Sequence, residues 1–237
     1  TYGLGSVESY GYNAGTLMNN LSAIGSLFNT NDTAANVTSH QFTCSRTPVK
    51  LSTLLAFPTP PTRIIWKLSL AGGGLSPNTD VTVNSPTPVG TQIINGVVYY
   101  KYELAGTYTF AAVGTFEIPI LVTHPSFENC LNTEEMIFTV DVRQKPNPDF
   151  SFTHSGCVLD PVSFNGPPVT SNGYTLNQWL WTFPDATTNN QQNTSKLFST
   201  PGVKNINLRV VTTEGCVADT IKPVTIFAKP TNTFTQN

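Results

Sequence analysis

Phe198-Ser-Thr-Pro-Gly-Val-Lys-Asn-Ile-Asn-Leu-Arg-Val210 is the stretch whose reading decides the fold. Ile206, Leu208 and Val210 alternate with Asn207 and Arg209, the period of two that buries one face of a strand and wets the other. Pro201-Gly202 supplies the turn in front of it. The same pattern stands earlier in the chain: Phe110, then Gly114, then Phe116, Ile118, Ile120 and Val122 at matching offsets. A strand repeated with its turn implies a domain repeated with its core, and Phe110 and Phe198 are assigned to those cores.

Working outward, the repeat widens. Cys44-Ser-Arg-Thr-Pro48-Val49 matches Cys157-Val-Leu-Asp-Pro161-Val162, a cysteine, a proline and the start of an apolar strand. Trp66 follows Cys44 by 22 residues and Trp181 follows Cys157 by 24. Each copy closes on one more alternating strand and then Lys-Pro, at Lys145-Pro146 and Lys229-Pro230. The copies differ in the middle: 44 residues separate Trp66 from Phe110, whereas 17 separate Trp181 from Phe198. The longer stretch contains Ile94-Asn95-Gly96-Val97, a strong two-residue hairpin signal. It reads as a hairpin inserted over roughly residues 90–104. Short strands punctuated by Gly, Pro and Asn make each copy a β-sandwich.

The divisions that follow are 1–38, an extension or the tail of a preceding module; 39–145, a sandwich with an inserted hairpin; 146–229, a second sandwich; and 230–237, the start of a further module. Leu17–Leu27 is the one stretch with a helical pattern. Each copy holds one early and one late cysteine, so Cys44 is expected to pair with Cys130 and Cys157 with Cys216. The bland alternative is four buried thiols. No cysteine pair has the spacing of a metal knuckle.

Composition excludes several function classes. Charged residues make up 11% of the 237, and the formal net charge is -2. That leaves no basic face for a nucleic acid. No run approaches ~18 apolar residues, so no membrane span is expected in this fragment. Thr1 is not a natural start, and the lack of a leader says nothing about localisation.

The second copy resembles a PKD (polycystic kidney disease) domain. The marks are Trp181-Thr-Phe183-Pro-Asp185-Ala and Gly202-Val-Lys-Asn-Ile206-Asn-Leu208-Arg-Val210, although both glycines of the first motif and the tyrosine of the second are replaced. The first copy is more distantly similar. The resemblance implies tandem all-β immunoglobulin-like sandwiches, similar to modules of exported surface proteins of Bacteroidota. It also implies that Trp66 and Trp181 are core residues rather than sugar platforms, with Trp179 less firmly placed.

Candidate sites are few. His40, His124 and His154 carry no zinc or hydrolase motif and read as solvated histidines. Asp185, Asp219, Glu134 and Glu135 lack a calcium-loop pattern. Gly3-x-Gly5 lacks the rest of a dinucleotide fingerprint. The best binding candidate is Tyr99, Tyr100 and Tyr102 beside the Asn95-Gly96 turn; the competing reading places Tyr100 and Tyr102 in the core. The expectation is therefore a secreted, non-enzymatic spacer and adhesion module with no catalytic residue, metal or cofactor. Its partners are neighbouring modules and a surface protein or polysaccharide. The alternative is a carbohydrate-binding accessory module of a secreted enzyme.

Overall fold

The structure, a computed structural model, describes residues 23–29, 42–127 and 130–230. The chain divides into two compact units, Thr1–Arg143 and Gln144–Asn237. In the first, the strands are β1 (Ala23–Asn29), β2 (Phe42–Cys44), β3 (Val49–Leu55), β4 (Arg63–Trp66), β5 (Leu75–Ser76), β6 (Val81–Asn84), β7 (Gly90–Ile94), β8 (Val97–Glu103), β9 (Thr109–Phe110), β10 (Gly114–Thr123) and β11 (Thr133–Arg143). In the second they are β12 (Ser151–Thr153), β13 (Pro161–Asn165), β14 (Thr170–Ser171), β15 (Tyr174–Thr182), β16 (Thr188–Asn189), β17 (Asn193–Leu197), β18 (Gly202–Thr212) and β19 (Val217–Ile226).

Each unit is an all-β sandwich. The first layers β1-β3-β8-β7 against β2-β11-β10-β4-β6, with a small β5-β9 pair beside them. The second layers β12-β13-β17 against β14-β15-β18-β19, with β16 added to β15. The long strands earn their place by alternation: Ile118, Ile120 and Val122 of β10 are buried, as are Ile206, Leu208 and Val210 of β18. Trp66 and Trp181 lie at the centres of the two cores, with Phe110 and Phe198 also buried. Gly114 and Gly202, which launch β10 and β18, have φ of 140° and 111°, a conformation that a side chain opposes.

Register shows what the repeat means. β8 pairs with β3 as β17 pairs with β13, and β6 pairs with β4 beside Trp66 as β16 pairs with β15 beside Trp181. β8 is therefore the counterpart of β17, a strand that both sandwiches need. The hairpin is real, with Ile94 opposite Val97 and φ of 50° and 81° at Asn95 and Gly96. Only its first strand, β7, is an addition. The inserted-hairpin reading is corrected to that extent.

The helical pattern over Leu17–Leu27 is also corrected, from Ala23 onward. Residues 23–29 form β1 and pair with all seven positions of β3. A short helix is marginal without a packed face, and a full ladder on a sheet edge outweighs local propensity. Residues 17–22, and the rest of the 1–38 and 230–237 assignments apart from β1 and Pro230, lie outside the described residues.

Candidate functional site

The tyrosines of β8 do not form an exposed surface. Tyr102 is 4% exposed and belongs to the core, and Tyr100 packs against that core from the same face. Tyr99, on the other face, is 7% exposed. Burial pushes the Tyr102 phenol above its ordinary pKa. What the hairpin offers to solvent is aliphatic: Ile93, Val97 and Val98 are exposed around the Asn95-Gly96 turn. The alternation rule hid this, because it assigns Tyr99 to the wet face.

The second unit carries a groove of about 430 Å³ lined by Asn177, Gln178, Trp179, Leu180, Asn190, Arg209 and Val211. A register shift between Leu176 and Gln178 creates the local shape. The extra residue there turns Asn177 and Gln178 outward together, so three amides border the groove. Trp179 is partly buried and anchored, its Nε1–H donating to the Pro167 carbonyl at 3.2 Å. Gly166 lies close against it. A Cβ at Gly166 would stand 2.5 Å from the Gln192 carbonyl oxygen and 3.2 Å from the Trp179 ring, so only glycine fits. Arg209 is exposed and, among the described residues, makes no ion pair. An indole edge, an unpaired guanidinium and amides are groups that can engage a sugar acid. Trp181, two residues on, is fully buried, with its Nε1–H donating to the Gln191 carbonyl.

The histidines separate. His40 lies outside the described residues. His124 is 3% exposed, which corrects the solvated reading. It stacks on Phe57 at 4.5 Å, and its Nδ1 accepts the Ser126 N–H at 3.1 Å and lies 2.5 Å from the Ser126 hydroxyl. With Nδ1 accepting, the ring proton is on Nε2, which donates to the Thr59 carbonyl at 3.0 Å. This set ties a strand end to the loop before β4. His154 is half-buried, and its Nδ1 has no hydrogen-bond partner among the described residues.

Of the four candidate carboxylates, Asp185 is held in an ion pair. Asp185 bonds Lys196 at 2.6 Å and the Thr187 hydroxyl and N–H, and Lys196 first, then Thr187, holds its pKa well below the ordinary range. Asp219 and Glu135 are exposed and Glu134 is half-buried. Among the described residues no three His, Cys, Asp or Glu side chains stand together as metal ligands.

The cysteines overturn the expected pairing. Cys44 and Cys216 are disulfide-bonded, while Cys130 and Cys157 are free thiols. The reason is geometric. Cys44 stands opposite Arg143, the last residue of β11, whereas Cys130 precedes its first residue, Thr133. Eleven residues of strand separate those ends by about 33 Å, and a disulfide needs Cα atoms within about 7 Å. In the second unit Cys157 bridges Phe227, just past the end of β19, while Cys216 precedes its start. Neither pair can close within its own sandwich.

Residues 143–226 match the model of the PKD domain family. Among solved structures the chain is similar to the fibronectin(III)-like modules of Clostridium thermocellum CbhA, at 9% identity over 89% of this chain and 99% of that one, with a TM-score of 0.37. It is also similar to the Yersinia pseudotuberculosis adhesin InvE, at 12% identity over 87% of this chain and 59% of that one, with a TM-score of 0.21. No curated protein matches the chain. Among the described residues no helix is long and apolar enough to cross a membrane.

Proposed function

We propose that this chain is a non-enzymatic, extracellular spacer and adhesion unit of a modular surface or secreted protein. The observation that carries the reading is where the backbone arrives and leaves. In the second unit the Asn147 N–H donates to the hydroxyl of Tyr174, which opens β15. Leu176 of β15 pairs with Thr212, the last residue of β18, while Ile226, the last residue of β19, pairs with Gly202, the first of β18. Arrival and departure are thus separated by the length of β18, about 33 Å. In the first unit β1 starts opposite Leu55 at one end of β3, and β11 ends opposite Cys44, the residue that leads into the other end of β3. A module threaded end to end lengthens a chain. The PKD match and the exposed Ile93, Val97 and Val98 also support the reading, the latter as contact points for a protein partner.

The groove at Trp179 and Arg209 favours a second reading, a carbohydrate-binding module. The experiment is a binding screen of the chain on immobilised neutral and acidic glycans and on surface proteins, alongside its Trp179→Ala and Ile93→Asp variants. Adhesion to protein lost with Ile93→Asp supports the spacer and adhesion reading. Glycan binding lost with Trp179→Ala supports the second. Turnover of a glycan by the chain would refute both.

A further inference from the structure

Each copy carries two kinds of cysteine. The early kind, Cys44 and Cys157, sits beside the end of the copy's last strand, at Arg143 and Phe227. The late kind, Cys130 and Cys216, sits in the turn before that strand begins. One cysteine of each kind, Cys44 and Cys216, is oxidised; its counterpart in the other copy is a thiol. Both oxidised cysteines are buried, at 7% and 0% exposure. Of the thiols, Cys130 is exposed and Cys157 half-buried. The early position is therefore oxidised in the first copy and open in the second, the late position is open in the first and oxidised in the second, and neither thiol can reach the second cysteine of its own sandwich.

We propose that Cys130 and Cys157 are cross-linking thiols, each forming a disulfide with a cysteine of the opposite kind on another module of this type. With only this chain present, Cys157 of one molecule joins Cys130 of a second. The two thiols lose two protons and two electrons to a disulfide oxidant of the glutathione class. Its S–S bond breaks to give two thiols, by thiolate attack and a mixed disulfide. An oxidising compartment supplies such an oxidant. The inference does not depend on the spacer reading, since it holds for any array of these modules.

The test uses the whole chain, incubated with oxidised glutathione and read by non-reducing gel and peptide mass spectrometry. The wild type is expected to give a ladder of dimers and higher species whose linked peptides contain Cys130 and Cys157. Cys130→Ser and Cys157→Ser are each expected to stay monomeric alone and to give dimer only, with no ladder, when mixed. Both variants keep the Cys44 and Cys216 positions, and each site is a surface turn or loop, so folding is checked by their unchanged melting. Wild type that stays monomeric overturns the proposal. So do single variants that dimerise as readily as their mixture, because that is unselective thiol chemistry.

Discussion

Phe150 packs edge-on against Trp181, with ring centroids 5.0 Å apart. Phe150 follows the Lys145-Pro146 segment and precedes β12, so the start of the second unit is fastened to the centre of its core. Lys222 reinforces the fastening by bonding the Asp149 carboxylate and the Phe150 carbonyl. Residues 146–230, expressed alone with both cysteines reduced, are expected to unfold in one cooperative transition. Phe150→Ala should lower the stability of that fragment by about 3–4 kcal/mol. Urea melts followed by tryptophan fluorescence check both, and an unchanged midpoint would show that Phe150 is peripheral.

The thiol count follows from the cysteine geometry. Denatured but unreduced chain should take up alkylating reagent at two positions, Cys130 and Cys157, and at four after reduction. Intact-mass measurement reads the difference. Uptake at none in chain that is monomeric on a non-reducing gel would restore the intra-copy pairs that the strand lengths forbid.

The hairpin separates structure from contact. Tyr102→Ala removes a core ring and should cost about 3 kcal/mol of the first unit's stability. Ile93→Ala, at a side chain 71% exposed, should change it by less than about 0.5 kcal/mol. Thermal melts of the two variants check the contrast.

Asp80 supplies an acid-sensitive contact. Its carboxylate accepts the Ser69 N–H and hydroxyl and pairs with Lys67 at 3.1 Å, which lowers its pKa from 3.8 to about 2. A group lowered on folding stabilises the fold above its unfolded pKa, and the contribution is lost as pH falls from about 4 to about 2. Asp80→Asn should flatten the pH dependence of the first unit in that window. Chemical melts at pH 5, 4, 3 and 2 test it, and parallel curves for variant and wild type would dismiss the contact.

What was legible in the amino-acid sequence was local. Alternation in Ile118-Pro-Ile120-Leu-Val122 and Ile206-Asn-Leu208-Arg-Val210 marks two core strands because burial on one face imposes a period of two. Asn95-Gly96 marks its own turn because few residues accept positive φ. The rest depends on pairing between distant segments. The cysteine spacing is nearly the same in both copies and is compatible with a staple inside each; only the register of β11 and β19 shows the two kinds at opposite ends. β1 is visible only against β3. The groove escaped notice because one extra residue near Asn177 shifts the face that Gln178 presents, and no periodicity rule registers a single-residue bulge.

The early cysteine of each copy lies in a parallel contact with the end of the last strand. Phe42–Cys44 runs alongside Asp141–Arg143, and the Ser45 N–H donates to the Arg143 carbonyl at 2.8 Å. Gly156–Val158 holds Phe227 in the same way, with the Val158 N–H donating to its carbonyl at 2.9 Å. Tension applied through a departing strand pulls along such a contact rather than across it. Its hydrogen bonds then bear load together in shear instead of opening one at a time. Resistance to stretching is set by the rate at which that small clamp ruptures, not by the equilibrium stability of the sandwich behind it.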